Sequence, residues 1–161
     1  GMIDVVPTER LFEHPRLCDL GPEPLSSDFG LSALWPSFRN AKQPVKTWLM
    51  NAKNVVGVGN IYASEALFLA GIRPTRRCVR VPKYKLERLV GCVRDVIATA
   101  IDSGGTTLQD YRNADGDVGG FQNRLQVYGR EGLPCYACGA TVRRVVLGQR
   151  STFYCPKCQS S

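Results

Sequence analysis

The chain has 161 residues, 43% of them hydrophobic, and its 21 Lys and Arg against 14 Asp and Glu give a formal net charge of +7. This length suits one domain, or one domain with a small module, and the apolar content excludes a disordered chain. No apolar run approaches the roughly 18–20 residues of a membrane span, and Met2–Asp4 does not resemble the start of a signal peptide.

The charge is distributed unevenly along the chain. Residues 1–38 carry two basic and six acidic residues, a balance of −4, whereas residues 39–161 carry 19 basic and 8 acidic residues, a balance of +11. A compact domain with this excess favours a polyanionic partner, and nucleic acid is the first candidate. A solvated basic face without a ligand explains the charge equally well, so charge alone leaves both interpretations open.

The N-terminal segment predicts a strap rather than a helical core. Five prolines restrict its backbone, and only a short helix around Ser26–Leu34 is expected within it. A second helix is predicted over Ser37–Asn51. The longest helix is predicted over Lys83–Ser103, where apolar residues recur at the spacing of one buried helical face.

A glycine-rich apolar segment, Val55–Gly59, leads directly into a further helix that is predicted over residues 60–70 and ended by Gly71. Asn60 is predicted at the N-cap of this helix. The N–H groups and the dipole at a helix N-terminus favour anions, so this position predicts a phosphate site.

Two neighbours strengthen the phosphate interpretation, and one alternative stays open. Lys53 lies seven residues upstream of Asn60, and Gly59 lets a ligand approach the backbone closely. A tight turn between two helices without a ligand fits the same residues. A dinucleotide motif is excluded because its third glycine would fall at Tyr62.

Four of the seven cysteines form two pairs, Cys135 with Cys138 and Cys155 with Cys158, and sixteen residues separate the pairs. This spacing predicts one structural zinc ion with four thiolate ligands and no open position for catalysis. Two disulfides or free thiols are the alternative. The odd number of cysteines and the absence of a signal sequence favour a reduced, cytoplasmic protein.

The residues between the cysteine pairs predict a β-hairpin, with strands over Val142–Leu147 and Thr152–Tyr154 joined at Gly148. The predicted fold is therefore mainly α, a helical domain followed by a small β-hairpin zinc finger. We divide the chain into an N-terminal strap over residues 1–24, a helical domain over residues 25–130 and a zinc finger over residues 131–161.

Several of these motifs resemble the formamidopyrimidine-DNA glycosylase family in order and spacing, and the match covers roughly residues 10–159. The resemblance implies a helix–two-turn–helix domain with a C-terminal zinc finger. It also implies base excision repair of oxidised purines as the biological setting, and damaged or abasic double-stranded DNA as the partner of a monomer. The matching segments are Leu20–Leu25, Lys53–Glu65, Gly104–Thr107, Leu125–Arg130 and Gln149–Gln159.

The resemblance assigns roles to individual residues. Lys53, Asn60 and Arg150 match the family residues that hold phosphates around the damaged nucleotide, and Tyr128 matches a further phosphate contact. The planar guanidinium group of an arginine at the tip of the finger can donate two parallel hydrogen bonds to a phosphate. Glu65 matches a family glutamate, for which we expect a base-pocket or structural role.

The resemblance also implies a lid. Residues 104–123 hold five glycines and resemble the family's loop over the flipped base, which must leave the stack because its bond is otherwise unreachable. Asp117 and Val118 depart from the family pattern, which has a basic residue and a proline there. A carboxylate near phosphates is unfavourable, so the DNA contacts of this loop and the preferred lesion are in doubt.

The family's catalytic domain begins with a proline nucleophile followed by a glutamate, and no part of this chain matches it. We therefore expect the DNA-holding part of a glycosylase and AP lyase, with no catalytic residue in this chain and no activity by itself. The alternatives are a non-catalytic damage sensor or scaffold, a fragment of an endonuclease VIII-like glycosylase, and a zinc ribbon that binds RNA or protein.

Overall fold

The computed structural model describes residues 4–15, 17–106 and 120–159. Within these residues the chain forms four α-helices, three short 3-10 helices and one two-stranded antiparallel sheet. The α-helices are α1 Leu31–Phe38, α2 Val45–Leu49, α3 Asn60–Leu69 and α4 Lys83–Asp102, and the strands are β1 Arg143–Leu147 and β2 Arg150–Tyr154. The 3-10 helices are Thr8–Glu13, Cys78–Arg80 and Phe121–Arg124.

The predicted order, a helical domain followed by a hairpin, is confirmed, but the helix predicted over Ser37–Asn51 is wrong. The chain leaves α1 after Phe38 and enters α2 only at Val45. Pro44 excludes the helical conformation from the residue before it. The intervening backbone instead pairs with the segment after α3, where Cys78 donates to the Gln43 carbonyl at 3.1 Å.

Helix α3 lies at the centre of the molecule. It packs against α4 on one side and against β2 on the other, and six of its ten residues are buried. Leu67 belongs to the main helical core, whereas its neighbour Phe68 belongs to a second core that also contains Val127 and, from the finger, Phe153. One helix therefore joins the two cores, because almost its whole circumference is apolar or small.

The long helix α4 closes the helical core. It buries Leu86, Leu89, Val93, Val96 and Ala100, which recur every three or four residues as the sequence predicts. Its first residues follow Pro82, whose fixed φ suits a helix start. No described helix is long and apolar enough to cross a membrane.

Candidate nucleic-acid interface and metal centre

The four paired cysteines converge on one point. Cys135 and Cys158 place their Sγ atoms 3.9 Å apart, Cys138 and Cys155 place theirs 3.5 Å apart, and all four sulfurs lie within 4.8 Å of one another. A tetrahedral zinc ion with Zn–S bonds of about 2.3 Å separates its sulfurs by about 3.8 Å. The observed spacing fits that ion, and it is far too long for a disulfide.

Each cysteine pair lies in a tight turn that aims its thiols inward. The Gly139 N–H donates to the Cys135 carbonyl at 2.8 Å, and the Cys158 N–H points at the Cys155 sulfur at 3.4 Å. The site therefore holds one structural zinc ion with four protein ligands, and it has no open position for a substrate.

The hairpin between the cysteine pairs presents Arg150 at its tip. Gly148 and Gln149 form the two-residue turn, with φ angles of 54° and 61°. Positive φ at both positions is the conformation that matches the twist of a tight hairpin. The turn places Arg150 at the exposed first position of β2, opposite Leu147.

The N-terminus of α3 lies beside this hairpin. Gly59 rather than Asn60 is the N-cap, and Asn60 is the first helical residue, so the predicted cap is shifted by one position. A side chain at Gly59 would meet no atom within 4 Å, whereas Gly57 has a φ of +80° that favours glycine. The open space at Gly59 lets a ligand approach the unpaired N–H groups of the first helical turn.

A buried lysine that the sequence interpretation missed organises the junction between α3 and the hairpin. Lys46 of α2 is only 1% exposed. Its Nζ donates to the Asn60 Oδ1 at 2.6 Å, to the Thr152 Oγ1 at 2.7 Å and to the Ser151 carbonyl at 3.3 Å. An ammonium group has three hydrogens, so these three oxygens satisfy it completely.

Lys46 also fixes the orientation of the Asn60 amide. An ammonium group can only donate, so the atom of Asn60 that it contacts must be the oxygen. The Asn60 Nδ2 then faces the hairpin, where it donates to the Ser151 carbonyl at 3.1 Å and to the Tyr128 hydroxyl at 3.3 Å. The amide donor, the phenol and the helix N-terminus are thereby brought to one place.

Lys46 and Arg150 share a cavity of about 200 Å³ between α2 and the hairpin turn. Burial, together with the charge of nearby Arg150, lowers the pKa of Lys46 to about 8. Two cations beside one cavity repel each other, and an anion between them would relieve that repulsion.

A second buried charge holds Tyr128 in place. Glu65 of α3 is 2% exposed, and its carboxylate accepts the backbone N–H groups of Gln126, Val127 and Tyr128 at 2.8, 3.0 and 2.8 Å. Burial raises the pKa of Glu65, and the three N–H groups oppose that shift. The Tyr128 ring also packs edge-on against Phe153, with ring centroids 5.0 Å apart.

The structure brings together most of the residues that the sequence predicts for phosphate contact. Gly59, Asn60 and Tyr128 lie together at the start of α3. Arg150 is the first residue of β2, and the carbonyl of the next residue, Ser151, accepts a hydrogen bond from Asn60. Lys53 does not join their hydrogen-bond network. It lies in an exposed turn, where its Nζ forms an ion pair with Asp19 at 2.8 Å.

Lys46 escaped the sequence interpretation because lysine side chains are almost never fully buried. The available signal was its setting, since it is flanked by Val45 and followed by Trp48 and Leu49 in a short apolar run. The burial of Glu65 had a similar signal, because it lies inside the apolar helix α3.

The predicted lid falls mainly outside the described residues, which exclude 107–119, so Asp117 and Val118 are not placed. Its two ends are described and lie together. Thr106 and Gly120 form an isolated antiparallel bridge, and the Thr106 hydroxyl donates to the Tyr62 hydroxyl at 3.2 Å.

The fold and the site together define a helical domain that is closed by a four-cysteine zinc finger, with a polar cluster at their junction. Two family descriptions match the same parts of the chain. The Formamidopyrimidine-DNA glycosylase H2TH domain matches residues 20–112, and the Zinc finger found in FPG and IleRS matches residues 132–160.

Individual relatives agree with this assignment. Formamidopyrimidine-DNA glycosylase of Thioalkalivibrio sulfidiphilus is 53% identical over 146 residues, which are 91% of this chain and 54% of the relative. The crystal structure of the MutM (FPG) protein of Thermus thermophilus has a TM-score of 0.86 at 46% identity, over 91% of this chain and 56% of that one. The Lactococcus lactis Fpg in complex with DNA containing an abasic site has a TM-score of 0.88 at 32% identity, over 96% of this chain and 56% of that one.

The chain belongs to the formamidopyrimidine-DNA glycosylase family. It spans about half the length of the curated relatives it matches.

Removing one thiol tests the metal centre. We expect one zinc ion per chain in the wild type and none in Cys155→Ser, because three remaining thiols and a hydroxyl bind zinc weakly. The finger should then unfold, since metal binding and folding are coupled in such modules. Zinc released per mole of protein and the thermal unfolding curve are the measurements.

Cys18→Ser is the matched control, because Cys18 is exposed and is not one of the four converging cysteines. It should retain one zinc ion and the wild-type unfolding curve. Two zinc ions per chain, or retention of zinc by Cys155→Ser, would contradict the four-thiolate assignment.

Proposed function

We propose that this chain binds double-stranded DNA as the DNA-holding part of a formamidopyrimidine-DNA glycosylase that repairs oxidised purines. The observation that carries the proposal is the meeting of Asn60 and Tyr128 at the open N-terminus of α3, with Arg150 beside Lys46, the residue that holds Asn60. Each group donates a hydrogen bond or carries a positive charge, and a phosphate accepts from both kinds of donor.

Some of the proposed groups contact the DNA directly, whereas Lys46 acts through a neighbouring residue. Arg150 and the N–H groups after Gly59 bind phosphate oxygens, and Tyr128 donates its hydroxyl hydrogen to one. Asn60 turns an amide hydrogen from Tyr128 to the phosphate. Lys46 does not reach the DNA, because its three hydrogens are engaged, and it acts by holding the Asn60 oxygen.

Lys53 is a proposed outer contact of the same kind. Both side chains of its ion pair with Asp19 are exposed, so exchanging the Asp19 carboxylate for a DNA phosphate costs little free energy. The hydrogen bond from Lys53 lowers the pKa of Asp19, which keeps that carboxylate charged and competitive with the DNA. We therefore expect Lys53 to contribute less than Arg150.

The chemistry of the proposed enzyme needs an amine nucleophile that attacks the sugar carbon, expels the base and then cleaves the backbone through a Schiff base. The resemblance places that amine in the domain that this chain does not match. The part proposed for this chain is to hold a bent or abasic duplex, and strand cleavage by the chain alone is not expected.

The proposal also covers the domain organisation, the oligomeric state and the location of the protein. We propose a mainly α DNA-binding domain over residues 25–130 and a finger over residues 131–161, with residues 1–24 as a strap along the domain. All the contacts proposed here come from one chain, which supports a monomer. The relatives are bacterial proteins, which supports a cytoplasmic protein associated with the nucleoid.

The Asn60→Asp variant tests the proposed phosphate site. The aspartate keeps an oxygen for Lys46 and nearly the same volume, but it removes the amide donor and places a negative charge at the site. We expect affinity for a duplex with an abasic site to fall about 10- to 100-fold, because hydrogen bonds to charged groups contribute about 1.5–3 kcal/mol. Fluorescence anisotropy at fixed salt is the measurement.

Asn40→Asp is the matched control, since Asn40 is exposed just beyond the end of α1, where its Nδ2 donates to the Pro36 carbonyl. It introduces the same charge away from the site and should change affinity less than about twofold, because salt screens distant surface charges. Wild-type affinity in Asn60→Asp would exclude the site, and nicking of the duplex by the wild-type chain would show that a nucleophile was overlooked.

The lowered pKa of Lys46 predicts that DNA affinity depends on pH. The free protein loses the Lys46 proton near pH 8, whereas a phosphate beside the cluster favours the charged form and raises that pKa in the complex. Binding therefore takes up a proton above pH 8, and affinity should fall about tenfold from about pH 7 to about pH 9, where about a tenth of the free lysine is charged.

The Lys46→Met variant should bind more weakly at every pH and show no fall over this window. Lys53→Gln should retain the fall, because it leaves Lys46 unchanged. A fall of equal size in Lys46→Met would assign the pH dependence to another group.

A further inference from the structure

One strongly basic segment of the chain takes no part in the site described above. Residues 66–86 carry six Lys and Arg residues and no acid, which is nearly the whole net charge of +7. The segment runs from the last turns of α3 through the 3-10 helix Cys78–Arg80 into the first turn of α4. Its charge therefore needs an explanation that the cluster at the start of α3 does not provide.

Four of these cations and Thr75 surround one open depression of about 560 Å³. Arg76 is fixed in its wall, because its Nε and Nη2 both donate to the Arg80 carbonyl, at 3.0 and 2.7 Å. Arg73 lies over the ring of Tyr154, with 5.1 Å between the guanidinium carbon and the ring centroid. The remaining lining side chains, Arg77 and Arg80, are exposed.

The partners of Arg76 and Arg73 named above are neutral, so these contacts orient the guanidinium groups without cancelling their charge. In the described part of the chain, the salt bridges found do not include Arg76, Arg77 or Arg80. Several like charges around one depression repel one another and create a positive potential that attracts anions. Planar guanidinium groups match phosphate oxygens in particular.

The depression is connected to the proposed phosphate site through α2 and β2. The backbone N–H groups of Val45 and Lys46 donate to the carbonyls of Arg76 and Pro74, at 2.8 and 3.3 Å, so the same short helix contacts both regions. Arg73 lies over Tyr154, the last residue of β2, and Arg150 is its first. Arg150 and Tyr154 are four residues apart, a span of about 13 Å along the strand.

We propose that Arg76, Arg77 and Arg80 form a second phosphate-binding surface, which contacts the backbone of the duplex on one side of the lesion. The surface extends the length of DNA that the chain contacts, and it contributes affinity without recognising the base sequence or the lesion. This inference rests on the proposed function, because it requires the chain to bind a duplex at the start of α3.

The test is the salt dependence of binding by Arg77→Gln/Arg80→Gln, a double variant whose altered side chains are both exposed. The affinity is measured on a duplex of about 20 base pairs with a central abasic site. The slope of log affinity against log salt concentration should become shallower by about 1 to 2, because each lost phosphate contact reduces the magnitude of that slope by about 0.9. Affinity at low salt should fall about tenfold.

The position of the lesion in the duplex distinguishes a local contact from a general charge effect. With the abasic site near one end of the duplex the variant should retain its defect, and with the site near the other end the defect should vanish, because DNA then extends away from the surface. The Arg77→Lys/Arg80→Lys variant should restore most of the slope, since phosphate contacts respond mainly to charge.

Arg10→Glu is the charge-matched control, because it also removes two positive units, from the exposed 3-10 helix Thr8–Glu13. A wild-type slope in the glutamine variant, equal defects for both lesion positions, or an equal defect in Arg10→Glu would each overturn the second surface while wild-type binding stands. Failure of the wild-type chain to bind any duplex would instead overturn the proposed function itself.

Discussion

The ammonium group of Lys46 is the interaction on which the junction between the helical domain and the finger depends. A lysine without solvent is costly unless every hydrogen finds an acceptor, and here the acceptors come from α3 and β2. Those oxygens cannot leave the lysine without exposing a buried unpaired charge. The need to satisfy one cation therefore fixes three elements of structure relative to one another.

Two further constraints act on the same junction from other sides. The Glu65 carboxylate holds the backbone of residues 126–128 against α3, and the zinc thiolates hold the two ends of the hairpin together. The second hydrophobic core, which includes Phe68, Val127 and Phe153, fills the space between them. The finger thereby becomes a rigid support for Arg150.

The sequence predicts the parts of this structure that depend on local patterns. The cysteine spacing, the apolar stripe of α4 and the glycine-rich entry to α3 each follow from residue type and periodicity. The helix expected over Ser37–Asn51 fails because Pro44 interrupts it, a local signal that the prediction overlooked, and the backbone before Pro44 pairs instead with residues 76–79. Lys46, Glu65 and the ion pair of Lys53 with Asp19 depend on contacts between distant residues, so their partners could not be read from the sequence.

The central claim is that Lys46 acts on DNA through Asn60, and a double-mutant cycle on affinity for an abasic duplex tests it most directly. Lys46→Met and Asn60→Ala are measured singly and together, with zinc content confirmed for each variant. If Lys46 serves to hold Asn60, the loss of affinity in the double variant should be clearly smaller than the sum of the two single losses, because contacting residues are not additive. Losses that add within about 0.5 kcal/mol would show that the two residues act independently and would contradict the account.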